Sequence, residues 1–597
     1  MSTVAYHDIC HGSGRVIPRR GRLGVSVRPS TRSALAMIAG ALLIVTGCTS
    51  GSRPGRSNDA SETADRASVS SSFVWGYERE FSSYNLNTVE GSTVGNIIVL
   101  NGVQPGFYVF GPDGSVIPRG ELGTYEKISD RPLTVRYRFN DKAVWSDGAP
   151  MGCEDMVFAW LSNSGVTGPK GFAVGGTTGY EEMEKPRCAP GDKVVTITYR
   201  RPYADWSTQF GVAKILPSHV VARQGGLTRS WVEYADTPRS PELAEAIRFF
   251  NRGWSLEPGT LKKEIMPSSG PYVIDSWAAH QSITLKANPK WWGKPPRTET
   301  VVIRYLAGSA QAQALQNGEI HAMSPEPQVD LMRQLEALGD SVQVTTGAAF
   351  QYEHLDFGFG GIFKDRTVRE AFARCLPRQG IVDALVRPVN PDAVVQQSRF
   401  VLPSQPAYSR FRDSAGGEKY ASVDIAEAKR LLAGQTPTIR LGWDKNAAAL
   451  NKRRADTLLL IQESCGKAGF DVIDAGTPTF MDKEWVAGNY DVALFSWTLD
   501  ATTVGQNDRF QTNGGLNTMG YSNAGVDELF RRQTAELGTA GQVAIAEQID
   551  SLLWKDLATI PLFALPGVLA TAKGVTGVRY NPTVMNLTWN IAEWSRS

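Results

Sequence analysis

The sequence predicts an α/β protein of two or three lobes. Strand-like and helix-like segments interleave: residues 133–140 alternate apolar and polar side chains, as a half-buried strand does, and a helix follows from Glu154 to Trp160. The carboxylates of Glu154 and Asp155 suit the positive end of that helix. About 525 residues follow residue 72, which is too many for a single hydrophobic core.

Later segments continue this pattern. Residues 194–200 again alternate between two faces, and residues 438–443 are predicted to form a strand. Helices are predicted at 367–375, 425–432, 453–468, 524–536 and 541–554. Because strands and helices interleave throughout, the predicted class is α/β.

The N-terminal segment is predicted to be an export signal that ends at Cys48. Six arginines precede a 12-residue apolar run at 34–45, and Thr46-Gly47-Cys48 follows it. At about 1.5 Å per residue the run covers about 18 Å, well short of the ~30 Å hydrocarbon core of a bilayer. This order resembles a bacterial lipoprotein signal: residues 1–47 would be removed and the thiol of Cys48 would accept lipid. An ordinary secretory signal with a chance cysteine is the alternative.

Residues 48–72 are predicted to be a disordered tether, because they contain almost no large apolar side chains. Without the first 48 residues, 56 of the 62 basic and 59 of the 60 acidic residues remain. The exported body is therefore nearly neutral, and it has no basic stripe that would indicate nucleic-acid binding.

The cysteines agree with export. Apart from Cys10 in the leader and Cys48, the chain contains Cys153, Cys188, Cys375 and Cys465. An even number in an exported chain suggests disulfides, and four cysteines permit three pairings. Four reduced, buried cysteines are the alternative, and no pair has the short spacing of a zinc site.

Enzymatic motifs are missing from the sequence. The histidines beyond residue 48 are widely spaced, at positions 219, 280, 321 and 354, and neither GxSxG nor HExxH occurs. We therefore expect no catalytic residue, no metal site and no cofactor.

Eight short motifs, in order, resemble the peptide and nickel class of ABC-transporter solute-binding lipoproteins, the oligopeptide- and dipeptide-binding proteins. The matching segments are 145–150 with 155–158, 215–220, 269–272, 288–292, 317–320, 352–357, 368–371, and 520–523 with 526–529. Two departures occur: Gly152 replaces the usual hydroxyl residue ahead of a helix, and His321 replaces an aspartate. Most of these segments are structural, so the resemblance says little about which solute binds.

The resemblance implies a two-lobed fold of the periplasmic-binding-protein type (type II, with an extra subdomain), whose lobes are joined by a two-strand hinge and close on a ligand. The expected limits are 73–108, 255–345 and 570–597 for lobe I, 109–254 for its extra subdomain and 346–569 for lobe II. A disulfide across the lobes would block closure, which favours Cys153–Cys188 and Cys375–Cys465 because each stays within one lobe.

The resemblance also implies a ligand site. Asp500, in the segment 496–500, matches the family carboxylate that pairs with a peptide α-ammonium, which needs a charge partner in a dry cleft. Trp497 would supply a flat apolar wall beside it. A loop aspartate that caps a turn, next to a core tryptophan, is the alternative. The complete set of expected ligand residues is Asp500, Trp497, Thr498, Tyr352, Tyr84, Asn85 and Phe81.

One family feature is missing. Some oligopeptide binders have an arginine six residues before this aspartate to hold a peptide carboxylate, and Leu494 stands there. Lys445, Arg453 or Arg454 could substitute, although the two arginines equally fit the solvated start of a helix.

The expected function is capture of short peptides, of two or more residues, by a monomeric protein that is lipid-anchored on the extracytoplasmic face of the cell membrane. Its partner would be the transmembrane permease of an ABC importer. The alternatives are the same fold binding haem, a nickel chelate or an oligosaccharide, or acting as a cell-envelope regulator without transport.

Overall fold

The computed structural model describes residues 70–445, 448–499, 504–583 and 586–597. Cys48, the signal segment, most of the tether and Asp500 lie outside these residues. The strands of the described chain are β1 Ser70–Tyr77, β2 Tyr108–Phe110, β3 Val116–Pro118, β4 Gly123–Asp130, β5 Leu133–Phe139, β6 Val194–Thr198, β7 Tyr272–Ala278, β8 Ser282–Ala287, β9 Thr298–Tyr305, β10 Ala322–Met323, β11 Val342–Phe357, β12 Thr438–Gly442, β13 Asp471–Asp474, β14 Val492–Thr498, β15 Thr559–Ala572, β16 Val575–Thr576 and β17 Ser595–Arg596.

Helices separate most of these strands, as the interleaving predicts. They are α1 Val94–Leu100, α2 Cys153–Asn163, α3 Ser218–Gln224, α4 Trp231–Tyr234, α5 Ala244–Arg252, α6 Gly308–Gln316, α7 Val329–Ala337, α8 Arg366–Cys375, α9 Arg378–Ile381, α10 Tyr408–Ala415, α11 Ile425–Leu432, α12 Ala448–Ala468, α13 Asn507–Phe510, α14 Ala524–Ala535 and α15 Thr539–Asp556. None of the helices in this part of the chain is long and apolar enough to cross a bilayer.

A ten-stranded mixed sheet organises the chain, in the order β13-β12-β14-β11-β15-β10-β1-β9-β8-β7. Its two long central strands, β11 and β15, pair antiparallel over nearly their whole length, from Val342 opposite Ala572 to Asp356 opposite Thr559. On its other edge, each of these two strands pairs with a further strand along only part of its length. Strand β10 pairs with β15 near Thr571, and β14 pairs with the second half of β11. These two strands therefore connect the two halves of the sheet, as the expected hinge requires.

The buried apolar residues form several separate clusters, and the two largest both include residues of the long central strands. The largest extends from Phe73 to Ile303 and also contains Ile591 and Trp594. The second extends from Leu355 to Leu565. Separate cores agree with the expectation of more than one lobe, while the limits of the lobes remain predictions.

A three-stranded antiparallel sheet, β4-β5-β6, lies outside the large sheet and contains the predicted strands at 133–140 and 194–200. Helix α2 lies between β5 and β6 in the chain, and the Asp155 carboxylate caps this helix by accepting the Gly152 N–H at 3.1 Å. Asp155 also accepts the Ser218 hydroxyl at 2.7 Å. The Asp155 carboxylate therefore caps the start of the helix, where glycine at position 152 offers no hydroxyl group.

Both favoured disulfides are confirmed. Cys153 and Cys188 are joined with their Cα atoms 5.9 Å apart, and Cys375 and Cys465 with theirs 4.9 Å apart. The second bond ties the last residue of α8 to α12 within the second core.

The helix predictions are confirmed to within a few residues. The largest difference is at α12, which begins at Ala448 rather than Arg453. Strand β11 begins at Val342, ten residues before the segment 352–357 that resembles the family. None of the first eight residues of β11 is fully buried: three are exposed and five are half-buried, so the segment shows little apolar alternation. Its backbone pairing with β15 holds it in the sheet.

Candidate ligand site

Three of the expected ligand residues meet where β14 ends beside β11. Tyr352 lies opposite Trp497, and Gln351 lies opposite Thr498. The side-chain amide of Gln351 donates to the Thr498 hydroxyl at 3.1 Å. Asp500 comes two residues after Thr498 in the sequence, outside the described residues. The strand pairing thus brings Tyr352, Trp497 and Thr498 together next to the connection between the two halves of the sheet.

Trp497 lies inside an aromatic cluster. Only 3% of the residue is exposed, and its ring stacks on His354 at a centroid distance of 6.0 Å and packs edge-to-face on Phe495 at 5.0 Å. It is therefore a core tryptophan in the described structure, as the alternative interpretation held. Whether one edge of the ring also contacts a ligand stays a prediction.

A buried arginine, which sequence reasoning missed, completes this strand end. The Arg509 guanidinium lies 4.5 Å from the centre of the Trp497 ring and donates to the Thr498 carbonyl at 2.9 Å and to Gln506 Oε1 at 2.8 Å. Arg509 lies on the short helix α13, where a charged residue normally indicates a solvated surface, so the sequence carries no signal of its burial. Its guanidinium thus brings positive charge to Thr498, which precedes the predicted ammonium-binding Asp500 by two residues in the sequence.

Tyr352 has a buried hydroxyl. The residue is fully buried, and its hydroxyl has no hydrogen-bond partner among the described residues. Burial raises the pKa of this hydroxyl above its ordinary value, so the group stays neutral and can donate a proton to an acceptor. A buried ion pair between Arg399 and Asp550 lies close enough to influence it.

The expected residues of the first lobe serve local packing. The Tyr84 hydroxyl donates to the carbonyl of Pro267, and Phe81 packs edge-to-face on Trp277 at a centroid distance of 5.4 Å. Both aromatic residues are fully buried in the first core. Their contact with a ligand stays a prediction.

Asn85 is buried as well and organises its own loop. Its amide donates to the Phe250 carbonyl at 3.0 Å, and its Oδ1 accepts the N–H of Asn87 at 2.9 Å. The side chain is therefore committed to the loop between β1 and α1, and contact of Asn85 with a ligand is also untested.

The suggested replacements for the missing clamp all have acidic partners. The Lys445 ammonium lies 2.8 Å from Asp474, while Leu494, at the family's arginine position, is fully buried in the second core.

Arg453 and Arg454 are buried rather than solvated at the start of α12. Arg453 pairs with Glu326 at 2.8 Å, and Arg454 pairs with Glu353 at 2.6 Å. Burial raises the pKa of the Glu326 carboxyl, while the charge of Arg453 acts to lower it. Because each guanidinium already neutralises a carboxylate, neither offers an uncompensated charge to a ligand.

The mixed sheet with its two long central strands matches the fold of solved solute-binding proteins. Residues 118–515 match the family model described as bacterial extracellular solute-binding proteins, family 5, middle region. The chain belongs to this family. Its members are substrate-binding proteins of ABC transporters and not enzymes.

Two curated relatives cover most of the chain. An uncharacterised lipoprotein of Mycobacterium tuberculosis is 28% identical over 533 residues, 86% of this chain and 91% of its own length. The oligopeptide-binding protein OppA of the same species is 25% identical over 523 residues, 83% of this chain and 81% of its own length. Among solved structures, a periplasmic EDTA-binding protein matches with a TM-score of 0.77 and 21% identity, covering 88% of this chain and 97% of that one. This last likeness concerns the fold.

Proposed function

We propose that the protein captures short peptides on the outer face of the cell membrane and delivers them to the permease of an ABC importer. The observation that carries the proposal is the pairing of the end of β14 with β11, which brings Trp497 and Thr498 together with Tyr352. Asp500 follows Thr498 two residues later in the sequence. A carboxylate there would neutralise the α-ammonium of a peptide in a dry cleft. The similarity to a mycobacterial oligopeptide-binding protein supports the same ligand class.

Anchoring through Cys48 is part of the proposal. The arginine-rich segment, the short apolar run and the cysteine support it, as does the similarity to curated mycobacterial lipoproteins. A lipid at residue 48 would leave the body on a tether close to its permease. Replacing Cys48 with alanine should abolish incorporation of labelled palmitate and release the protein from the membrane fraction; unchanged labelling would contradict the assignment.

The ligand class is tested first by mass spectrometry of what co-purifies with the protein. A mixture of short peptides is expected. A haem absorbance band, a single sugar or a metal chelate instead would contradict the peptide proposal.

The ammonium contact is tested with Ala-Ala-Ala and its N-acetylated form, with binding measured by calorimetry. Acetylation removes the positive charge, so binding should weaken roughly tenfold to hundredfold in the natural protein. Asp500→Asn should remove this difference. Asp392→Asn, at an exposed aspartate, is the matched control and should keep it. Equal binding of both peptides by the natural protein would refute the role of Asp500.

A further inference from the structure

The two long central strands, β11 and β15, divide the large sheet into two halves. The first half contains β10, β1, β9, β8 and β7, and the second half contains β14, β12 and β13. When a protein of this kind closes, its lobes move relative to one another about the segments that connect them. A side-chain contact between the two halves therefore depends on the conformation of the protein.

Glu326 and Arg453 form such a contact. Glu326 follows β10 by three residues, and Arg453 lies on α12, which separates β12 from β13 in the chain. The Arg453 guanidinium lies 2.8 Å from Glu326 Oε1 and also donates to the Pro327 carbonyl at 2.9 Å. Two hydrogen bonds fix the position of the guanidinium, because each of them weakens steeply when it lengthens or bends. Both can form only while the two halves meet at this point.

The pair is largely shielded from water. The side chain of Glu326 is 23% exposed and that of Arg453 is 9% exposed. Burial raises the pKa of the Glu326 carboxyl, and the negative charges of Glu78 and Glu353 act in the same direction. The positive charge of Arg453 acts against them. The carboxylate that the first half brings to the contact is thus stabilised by a charge from the second half.

The two sides of the molecule also meet at a second point. The Ala204 N–H donates to the Thr534 carbonyl at 2.9 Å. Ala204 follows Tyr203, which belongs to the same core as Phe73 of β1. Thr534 lies on α14, between β14 and β15 in the chain. The described conformation is therefore one in which the two sides contact each other at two separate places, as a closed protein requires.

We propose that the ion pair between Arg453 and Glu326 is a latch between the two halves, formed when the protein closes and broken when it opens. The latch stabilises the closed conformation without contacting the ligand. A fraction of the ligand-free protein is then already closed, and a bound ligand leaves more slowly. The effect on ligand release rests on the proposed function, whereas the effect on the ligand-free protein does not.

Small-angle X-ray scattering of the ligand-free protein tests the latch without any ligand. Arg453→Met and Glu326→Gln each remove the ion pair, so both variants should have a larger radius of gyration than the natural protein. Lys452→Met is the matched control, because Lys452 precedes Arg453 and pairs with Asp456 of the same helix at 2.7 Å. Its radius should equal that of the natural protein. An unchanged radius of gyration in both latch variants would refute the latch.

The dissociation rate of Ala-Ala-Ala, measured by stopped-flow tryptophan fluorescence, tests the effect on release. Each latch variant should release the peptide roughly tenfold faster, the lower end of the range for a hydrogen bond between charged groups. The double variant should be no faster than either single variant, because one change already removes the pair. Slower release by Glu326→Gln would mean that the freed Arg453 binds the peptide itself, which would also refute the latch.

The outcomes separate the two proposals. If the natural protein does not bind Ala-Ala-Ala, the peptide function fails, and the scattering measurement alone decides the latch. If it binds the peptide and both latch variants release it at the natural rate, the latch is refuted and the peptide function stands. Glu326→Gln changes a single atom of the side chain, so it carries both measurements even if Arg453→Met does not fold.

Discussion

Replacing Asp550 with asparagine should destabilise the protein strongly. Asp550 lies on α15, and its Oδ1 is 2.7 Å from the Arg399 guanidinium, with both side chains 0% exposed. Arg399 also donates to the Thr559 hydroxyl at 2.7 Å. Thr559 is the first residue of β15 and lies opposite Asp356 of β11. The ion pair therefore connects α15 to the start of a strand that crosses the whole sheet.

The magnitude follows from the burial of the pair. Asparagine has the shape of aspartate without its charge, so the variant leaves the Arg399 guanidinium charged inside the protein with no counter-ion. Breaking a buried ion pair in this way costs about 3–5 kcal/mol. The pair between Arg410 and Glu547 also joins α15 to a neighbouring segment at 2.8 Å, but the arginine side chain is 57% exposed. Exposed pairs contribute only about 0–1 kcal/mol.

Chemical denaturation followed by near-ultraviolet circular dichroism measures the difference. Asp550→Asn should lower the transition midpoint well below that of Glu547→Gln, which should stay close to the natural protein. The double variant Arg399→Met with Asp550→Leu should recover most of the loss, because apolar residues of similar size remove both charges. Equal midpoints for Asp550→Asn and Glu547→Gln would refute the argument.

Three further predictions concern other buried groups. Burial and a nearby arginine lower the pKa of His321 to about 4, so the folded state favours the neutral ring. The free energy of unfolding should therefore be highest above about pH 6.5 and fall by at most about 3 kcal/mol as the pH drops towards 4. In His321→Asn the melting temperature should depend less on pH over that window. Replacing both Cys375 and Cys465 with serine should lower the melting temperature, because a disulfide that closes a loop of this length stabilises the folded state by at most about 4–5 kcal/mol. An unchanged melting temperature of the natural protein under reducing conditions would count against this prediction. Arg453→Met should leave Glu326 unpaired and speed amide exchange in the first turns of α12; unchanged exchange would show that the pair contributes little.

Elements with a strong local pattern could be predicted from the sequence. Helix α11 spans Ile425–Leu432 as expected, and α8 begins one residue before the predicted start. The first half of β11 could not be predicted, because its side chains are half-buried or exposed and mainly backbone pairing holds it in the sheet. Local patterns report which face of an element is buried, and they report little where no face is buried.

The site was predictable only in part for a related reason. The segment around Trp497 could be found by resemblance, but its pairing with Tyr352 depends on strand register between residues 145 positions apart. The burial of Arg454 depends on Glu353, a partner 101 residues away. Arg509 can be buried because its guanidinium packs over the Trp497 ring and donates a hydrogen bond to the Thr498 carbonyl. Neither contact has a local sequence pattern. Charged residues are assigned to the surface unless such distant partners are known.

The position of Trp594 has a consequence for the order of folding. Its ring is fully buried against Trp75, at a centroid distance of 5.2 Å, and its carbonyl accepts the Thr298 hydroxyl at 2.7 Å. A chain is synthesised from its N-terminus, so the residues around Trp75 are made more than 500 positions before the side chain that completes their core. The core around Trp75 therefore stays incomplete until nearly the whole sequence has been synthesised. Deleting the segment that contains Trp594 should block maturation of the earliest part of the protein rather than of the latest.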